Sequence, residues 1–149
     1  MSTNWRVTLF GIVSGLGWSL IVFRDDGLIS LKNGETYLLL TAGVAAALTL
    51  CFALKFPLAR YGVFWATALG LLTFPVGAFL FGFIFALAAM IRTQFTVGGE
   101  FVIMTPFAFG SMAVLLSIKG RYYLIPGAFL TTWLLRVVIR LGKKTKHAA

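Results

Sequence analysis

Five runs without a single charged residue organise the chain: 7–23, 36–54, 61–91, 101–118 and 122–135. Within them apolar side chains follow one another instead of alternating, and Ala, Leu, Phe and Gly dominate. In hydrocarbon the backbone N–H and C=O groups have only each other as partners, so helices and closed barrels alone can cross a bilayer. Barrel strands would be segments of about ten residues alternating apolar and polar. These runs are longer and continuous. The pattern therefore predicts an all-α, polytopic integral membrane helical bundle, a single transmembrane domain over residues 1–149.

The run 61–91 poses the main topological question. About 20 helical residues cross the hydrocarbon core, whereas residues 61 to 91 inclusive number 31. As one straight helix they would measure about 46 Å. Pro75 removes a helical hydrogen bond and crowds the preceding turn, and Gly77 supplies freedom for a tight reversal. A helical hairpin reversing at Pro75–Gly77 predicts about six membrane segments; a single crossing gives five. Charge favours the hairpin. It gathers Arg6, Lys55, Arg60, Arg92 and the tail cations Arg136, Arg140, Lys143, Lys144 and Lys146, nine in all, against Arg24, Lys32, Lys119 and Arg121. A single crossing splits the thirteen cations eight to five. Loops rich in Lys and Arg stay cytoplasmic, so a multi-pass protein with both termini in the cytoplasm is expected.

The other segments follow from local chemistry. The first run is too long for a cleaved signal peptide and lacks a small-residue cleavage site before Arg24, so it reads as a retained span. Residues 24–35 form a polar loop with a weak hairpin pattern, and Lys55-Phe56-Pro57 ends the second span, because the residue before proline avoids helix. Lys119-Gly120-Arg121 is a connection short enough to make the last two helices an antiparallel pair. Residues 136–149 read as a basic cytoplasmic tail. Lys55-Phe56-Pro57-Leu58-Ala59-Arg60 followed by Leu72-Thr73-Phe74-Pro75-Val76-Gly77 resembles a pattern of small bacterial multi-span proteins, with Ala-Arg before one helix and an apolar-Pro-apolar-Gly turn into the next. That resemblance covers about 40 residues; it implies a helix-turn-helix over 61–91 and no particular activity.

Composition sharpens the class and narrows the chemistry. Hydrophobic residues make up 60% of the chain, charged residues 11%, and mean hydropathy is +0.96, against about 25% charged in soluble domains. The net charge of +9 comes from cations between spans and at the end, a topogenic pattern that argues against nucleic acid as a partner. Cys51 is the single cysteine and His147 the single histidine; Asp25, Asp26, Glu35 and Glu100 all fall between the apolar runs. Intramembrane ionisable residues mark function by default, and the runs contain none. Neither catalytic, cofactor nor metal residues are expected.

Three weaker features remain. Gly11, Gly15 and Gly17 extend a GxxxG motif that lets helix backbones approach closely, with Ala42, Gly43 and Ala46 as its smooth counterface. Pro75 and Gly77, with Pro106, are candidate helix breaks of the kind that build transporter sites; around the first, Phe74, Phe79, Phe81, Phe83, Phe85 and Trp65 form an aromatic cluster. Arg136, Arg140 and Lys143/Lys144 recur at helical spacing, a basic stripe suited to anionic lipid headgroups or an acidic partner. The expectation is a non-catalytic accessory, assembly or scaffold subunit of a bacterial inner-membrane complex, contacting other membrane proteins or its own copies. The alternative is an oligomeric channel or transporter for a neutral, apolar or lipidic solute.

Overall fold

The computed structural model describes residues 2–24, 34–94, 96, 98–119 and 124–147, excepting the side chains of 112–119 and 143–147. Five helices follow one another: α1 (Thr3–Arg24), α2 (Gly34–Arg60), α3 (Val63–Arg92), α4 (Gly99–Lys119) and α5 (Leu124–His147). Each overlaps one charge-free run, and α5 continues well past the end of its run, to His147. The chain is a helical membrane bundle: α1, α2, α3 and the Leu124–Gly142 part of α5 are each long and apolar enough to cross a bilayer. The patterns expected for residues 25–33 and 120–123 lie outside the described residues.

The hairpin expected within 61–91 does not form. α3 is one helix of 30 residues with Pro75 and Gly77 inside it, and the six-segment reading falls with it. Bilayer physics accounts for the difference. A reversal at mid-membrane would create two helix ends, each leaving up to four orphan backbone groups, with no water to satisfy them. A proline inside a continuous helix removes one hydrogen bond. The length that argued for reversal also has an outlet. At 1.5 Å per residue α3 is about 45 Å long, close to the ~40–45 Å of a bilayer that includes its headgroup regions. Pro57 and Pro106 likewise sit inside α2 and α4 and end neither helix.

Side-chain registers fix the helix directions. Gly11 lies against Leu48 and Gly15 against Val44, so α2 runs antiparallel to α1. Gly77 faces Leu50, and Arg92 at the end of α3 reaches Gly34 at the start of α2, so α3 returns alongside α2. Gly82 meets Pro106 and Gly110 meets Phe79, making α4 antiparallel to α3. Gly70 meets Phe129, and Arg136 reaches Tyr61, making α5 antiparallel to α3 as well. α4 and α5 therefore run the same way, not as the antiparallel pair expected from their short connection. α5 finishes with Gly142 against Thr3, at the end of the bundle where α1 begins. Residues from 136 onward continue α5, and Ile139 is fully buried, so the first turns of the basic segment belong to the bundle.

The closest backbone approach is between α1 and α2. A Cβ at Gly15 would stand 2.7 Å from the Val44 Cα and 2.8 Å from the Gly43 carbonyl oxygen, atoms that cannot swing away. The Ser19 hydroxyl occupies the space a Gly43 side chain would need. The packing stripe is thus Gly11, Gly15 and Ser19 at four-residue spacing; Gly17 has nothing within 4 Å. Ala42 and Ala46 are buried in the same seam. Gly15→Val is expected to destabilise the bundle by about 3 kcal/mol, at the upper end of overpacking costs, whereas Gly17→Val changes stability by about 0.5 kcal/mol or less. Denaturation in mixed micelles measures both.

Candidate functional site

α1, α2, α3 and α5 enclose a partly open cavity of about 150 Å³, closed on one side by Phe109 of α4. It exists because short side chains from three helices converge. Gly15 on α1, Gly43, Ala46 and Ala47 on α2, and Gly77 and Ala78 on α3 all line it, and none reaches across. The small-residue stripe that lets backbones touch leaves unfilled space beyond the line of contact.

Aromatic rings border the cavity elsewhere. Trp18 lies 5.6 Å from Phe74 between ring centroids. Phe81 is packed at 5.1 Å from both Phe23 and Phe109, and at 6.0 Å from Phe85. Separations of 4.5–7 Å in tilted geometry are the favourable range for such pairs. The expected phenylalanine cluster divides accordingly. Phe74 and Phe81 face the cavity, whereas Phe79 and Phe83 are 39% and 43% exposed on the outer surface. Trp65 belongs elsewhere, with Tyr61 and Phe64 at the start of α3.

Four hydroxyls of the wall turn back on their own helices. Thr73 donates to the Leu69 carbonyl at 2.6 Å, Thr131 to Gly127 at 2.7 Å and Thr132 to Ala128 at 2.9 Å. Ser14 donates to Gly11 at 3.2 Å. Two contacts join helices across the site: Trp18 Nε1 donates to the Thr131 hydroxyl, and the Thr73 and Thr132 hydroxyls lie 3.2 Å apart, so that either can turn its one proton from its own backbone carbonyl to the other. A hydroxyl that gives its proton to its own backbone presents an acceptor and a methyl group to a guest. The lining holds no acid or base that would activate a hydroxyl as a nucleophile. Among the described residues, no three His, Cys, Asp or Glu side chains cluster as metal ligands do.

Of the residues singled out from sequence, Gly15, Gly43, Ala46 and Gly77 line the cavity, while Gly11 and Ala42 belong to the α1–α2 seam. Pro75 sits inside α3 beside the lining residue Phe74. Pro106 of α4 packs against Gly82 of α3 and does not line the cavity. The basic stripe also divides: Arg140 is exposed, whereas Arg136 is 3% exposed and points into the bundle. The side chains of Lys143 and Lys144 lie outside the described residues. Trp18, Thr73, Thr131 and Thr132 were not anticipated. Their signal was modest: a Thr two residues before a mid-span proline, and an adjacent Thr pair within an apolar run. No protein-family model matches the chain, and neither a curated protein nor a solved structure matches it.

The Thr73–Thr132 contact gives a direct energetic expectation. Interhelical hydrogen bonds in membranes average about 0.6 kcal/mol in double-mutant cycles, and a cycle of Thr73→Val with Thr132→Val should return a coupling of that size. Additive losses would mean that the two hydroxyls do not interact.

Proposed function

We propose that this chain is a non-catalytic integral membrane protein that takes up the apolar part of a neutral, lipid-like molecule between its helices. This is the binding step of the channel or transporter expectation. The composition of the cavity wall carries the proposal: small residues and aromatic rings, with the hydroxyls of Thr73, Thr131 and Thr132 bonded to backbone carbonyls. Such a wall supplies dispersion contacts and no charge. Lipid tails outside are as apolar as the wall, so selection must come from shape. A dry apolar space of this size suits a guest moiety about as large as benzene, such as a ring or a branched chain end.

Charge supports an orientation. The end of the bundle where α1 starts and α5 finishes carries Arg6, Lys55, Arg60, Arg136 and Arg140, with no acid among its described residues. The other end carries Arg24 and Arg92 together with Glu35 and Glu100. By the positive-inside rule we assign the first end, and both termini, to the cytoplasm, with a bacterial inner membrane as the location.

A role as an accessory or assembly subunit is the second reading, favoured by α4. That helix leans almost wholly on α3 and leaves Ile103, Met104 and Phe107 63–68% exposed. A monomer in mild detergent that captures no partner by crosslinking in native membranes would reject this role.

Bromobenzene tests the binding reading, because its heavy atom quenches tryptophan and Trp18 lines the cavity. Saturable quenching is expected, with the saturable part lost in Trp18→Phe. Ala78→Leu adds three carbons to the cavity wall and should weaken the binding about tenfold, the equivalent of 1.4 kcal/mol of lost contact. Unsaturable quenching that is identical in all three proteins would contradict the proposal.

A further inference from the structure

Arg136 is the one described cation taken into the protein interior, and no described residue around it carries the opposite charge. It is 3% exposed. Its Nη2 donates to the Tyr61 carbonyl at 3.3 Å, its guanidinium lies 5.5 Å from the centre of the Trp133 ring, and its Nε is buried without a partner. A neutral carbonyl and an aromatic face offset part of the desolvation of a guanidinium, and an uncompensated buried charge is strongly destabilising. The described carboxylates, Glu35 and Glu100, stand at the opposite end of the bundle. No described residue therefore supplies the compensating anion.

The position of Arg136 indicates what that anion meets. Tyr61 immediately precedes Gly62, the N-cap of α3, and Gly62 offers no side chain to cap the first-turn N–H groups. Those N–H groups are the positive end of a 30-residue helix, and the surrounding Gly62, Val63, Phe64 and Trp65 are exposed. Arg60 brings a second guanidinium, 5.9 Å from the centres of both the Phe56 and Tyr61 rings. Two guanidinium groups thus flank Tyr61, beside an uncapped helix N-terminus, and such termini are ready anion sites. Bidentate phosphate binding is what guanidinium geometry favours.

We propose that the α3 N-terminus is a binding site for a phosphate-type anion, held by Arg136, Arg60 and the free first-turn N–H groups, and occupied by the headgroup of an anionic lipid. The aromatic residues around it select the lipid source. Tyr61, Trp65 and Trp133 collect at this end of the bundle, and Trp and Tyr gather at the depth of the headgroups. Tyr61, Phe64 and Trp65 are 42%, 78% and 50% exposed, leaving the site open to a neighbouring lipid. This site is separate from the apolar cavity, so neither reading depends on the other.

The test titrates the full chain in neutral detergent with short-chain phosphatidylglycerol, with short-chain phosphatidylcholine and with inorganic phosphate. Native mass spectrometry counts what is bound, and thermal unfolding follows stability. Phosphatidylglycerol should bind saturably and raise the melting temperature, with phosphatidylcholine much weaker. Arg136→Gln should weaken that binding about tenfold or more, as expected for one hydrogen bond to a charged group. Arg60→Gln should weaken it several-fold, and Arg140→Gln should leave it unchanged. Saturable binding of inorganic phosphate with the same dependence on Arg136 and Arg60 would keep the anion site and reassign its occupant to a soluble phosphate. Equal losses in Arg136→Gln and Arg140→Gln would overturn the proposal in favour of diffuse attraction to a basic surface. Unchanged affinity in Arg60→Gln would overturn it too, and that exposed position remains informative if Arg136→Gln does not fold.

Discussion

The hydrogen-bonded backbone of α3 is the constraint on which the rest of the bundle depends. Inside a bilayer every unmade backbone bond goes uncompensated by water. One bond missing at Pro75 is therefore tolerated where a complete reversal is not. Because α3 stays whole, it serves as the axis of the molecule: α2, α4 and α5 all pack along it. The same continuity sets the parity. α1, α2 and α3 alternate in direction, and α4 and α5 then both run opposite to α3, with α5 reaching the end where α1 begins.

Close helix approach and the cavity are two outcomes of one design. Gly11, Gly15 and Ser19 let α1 settle onto α2 at backbone distance, where van der Waals contact rather than the hydrophobic effect holds membrane helices together. Small residues at such a seam cannot also fill the space between that helix pair and its neighbours. Where Gly77 and Ala78 of α3 face it, the space stays open and is bordered by rings instead. Besides the Cys51 thiol, the wall presents only hydroxyls, an indole N–H and apolar groups.

Fold class was legible because charge exclusion is the strongest signal a membrane sequence carries: each of the five charge-free runs became a helix. The prolines misled. Pro57, Pro75 and Pro106 all sit inside helices, because local propensity yields to the bilayer's demand for backbone pairing. Gly17 was placed in the packing stripe by proximity in sequence, when four-residue spacing pointed to Ser19. The periodicity of α5 alone could not reveal that Arg136 turns toward Tyr61 while Arg140 remains exposed. The cavity itself was not legible, since it depends on which small residues of different helices come face to face.

The central claim is that α3 crosses the membrane once and that the chain then returns to the side on which it began. Fusing a compartment-sensitive reporter at Thr96, between α3 and α4, and a second at the C-terminus tests it most directly. The account predicts opposite locations for the two reporters, with the C-terminal one cytoplasmic. A cytoplasmic reporter at Thr96 together with a cytoplasmic C-terminus would contradict it and restore the reversal at Pro75.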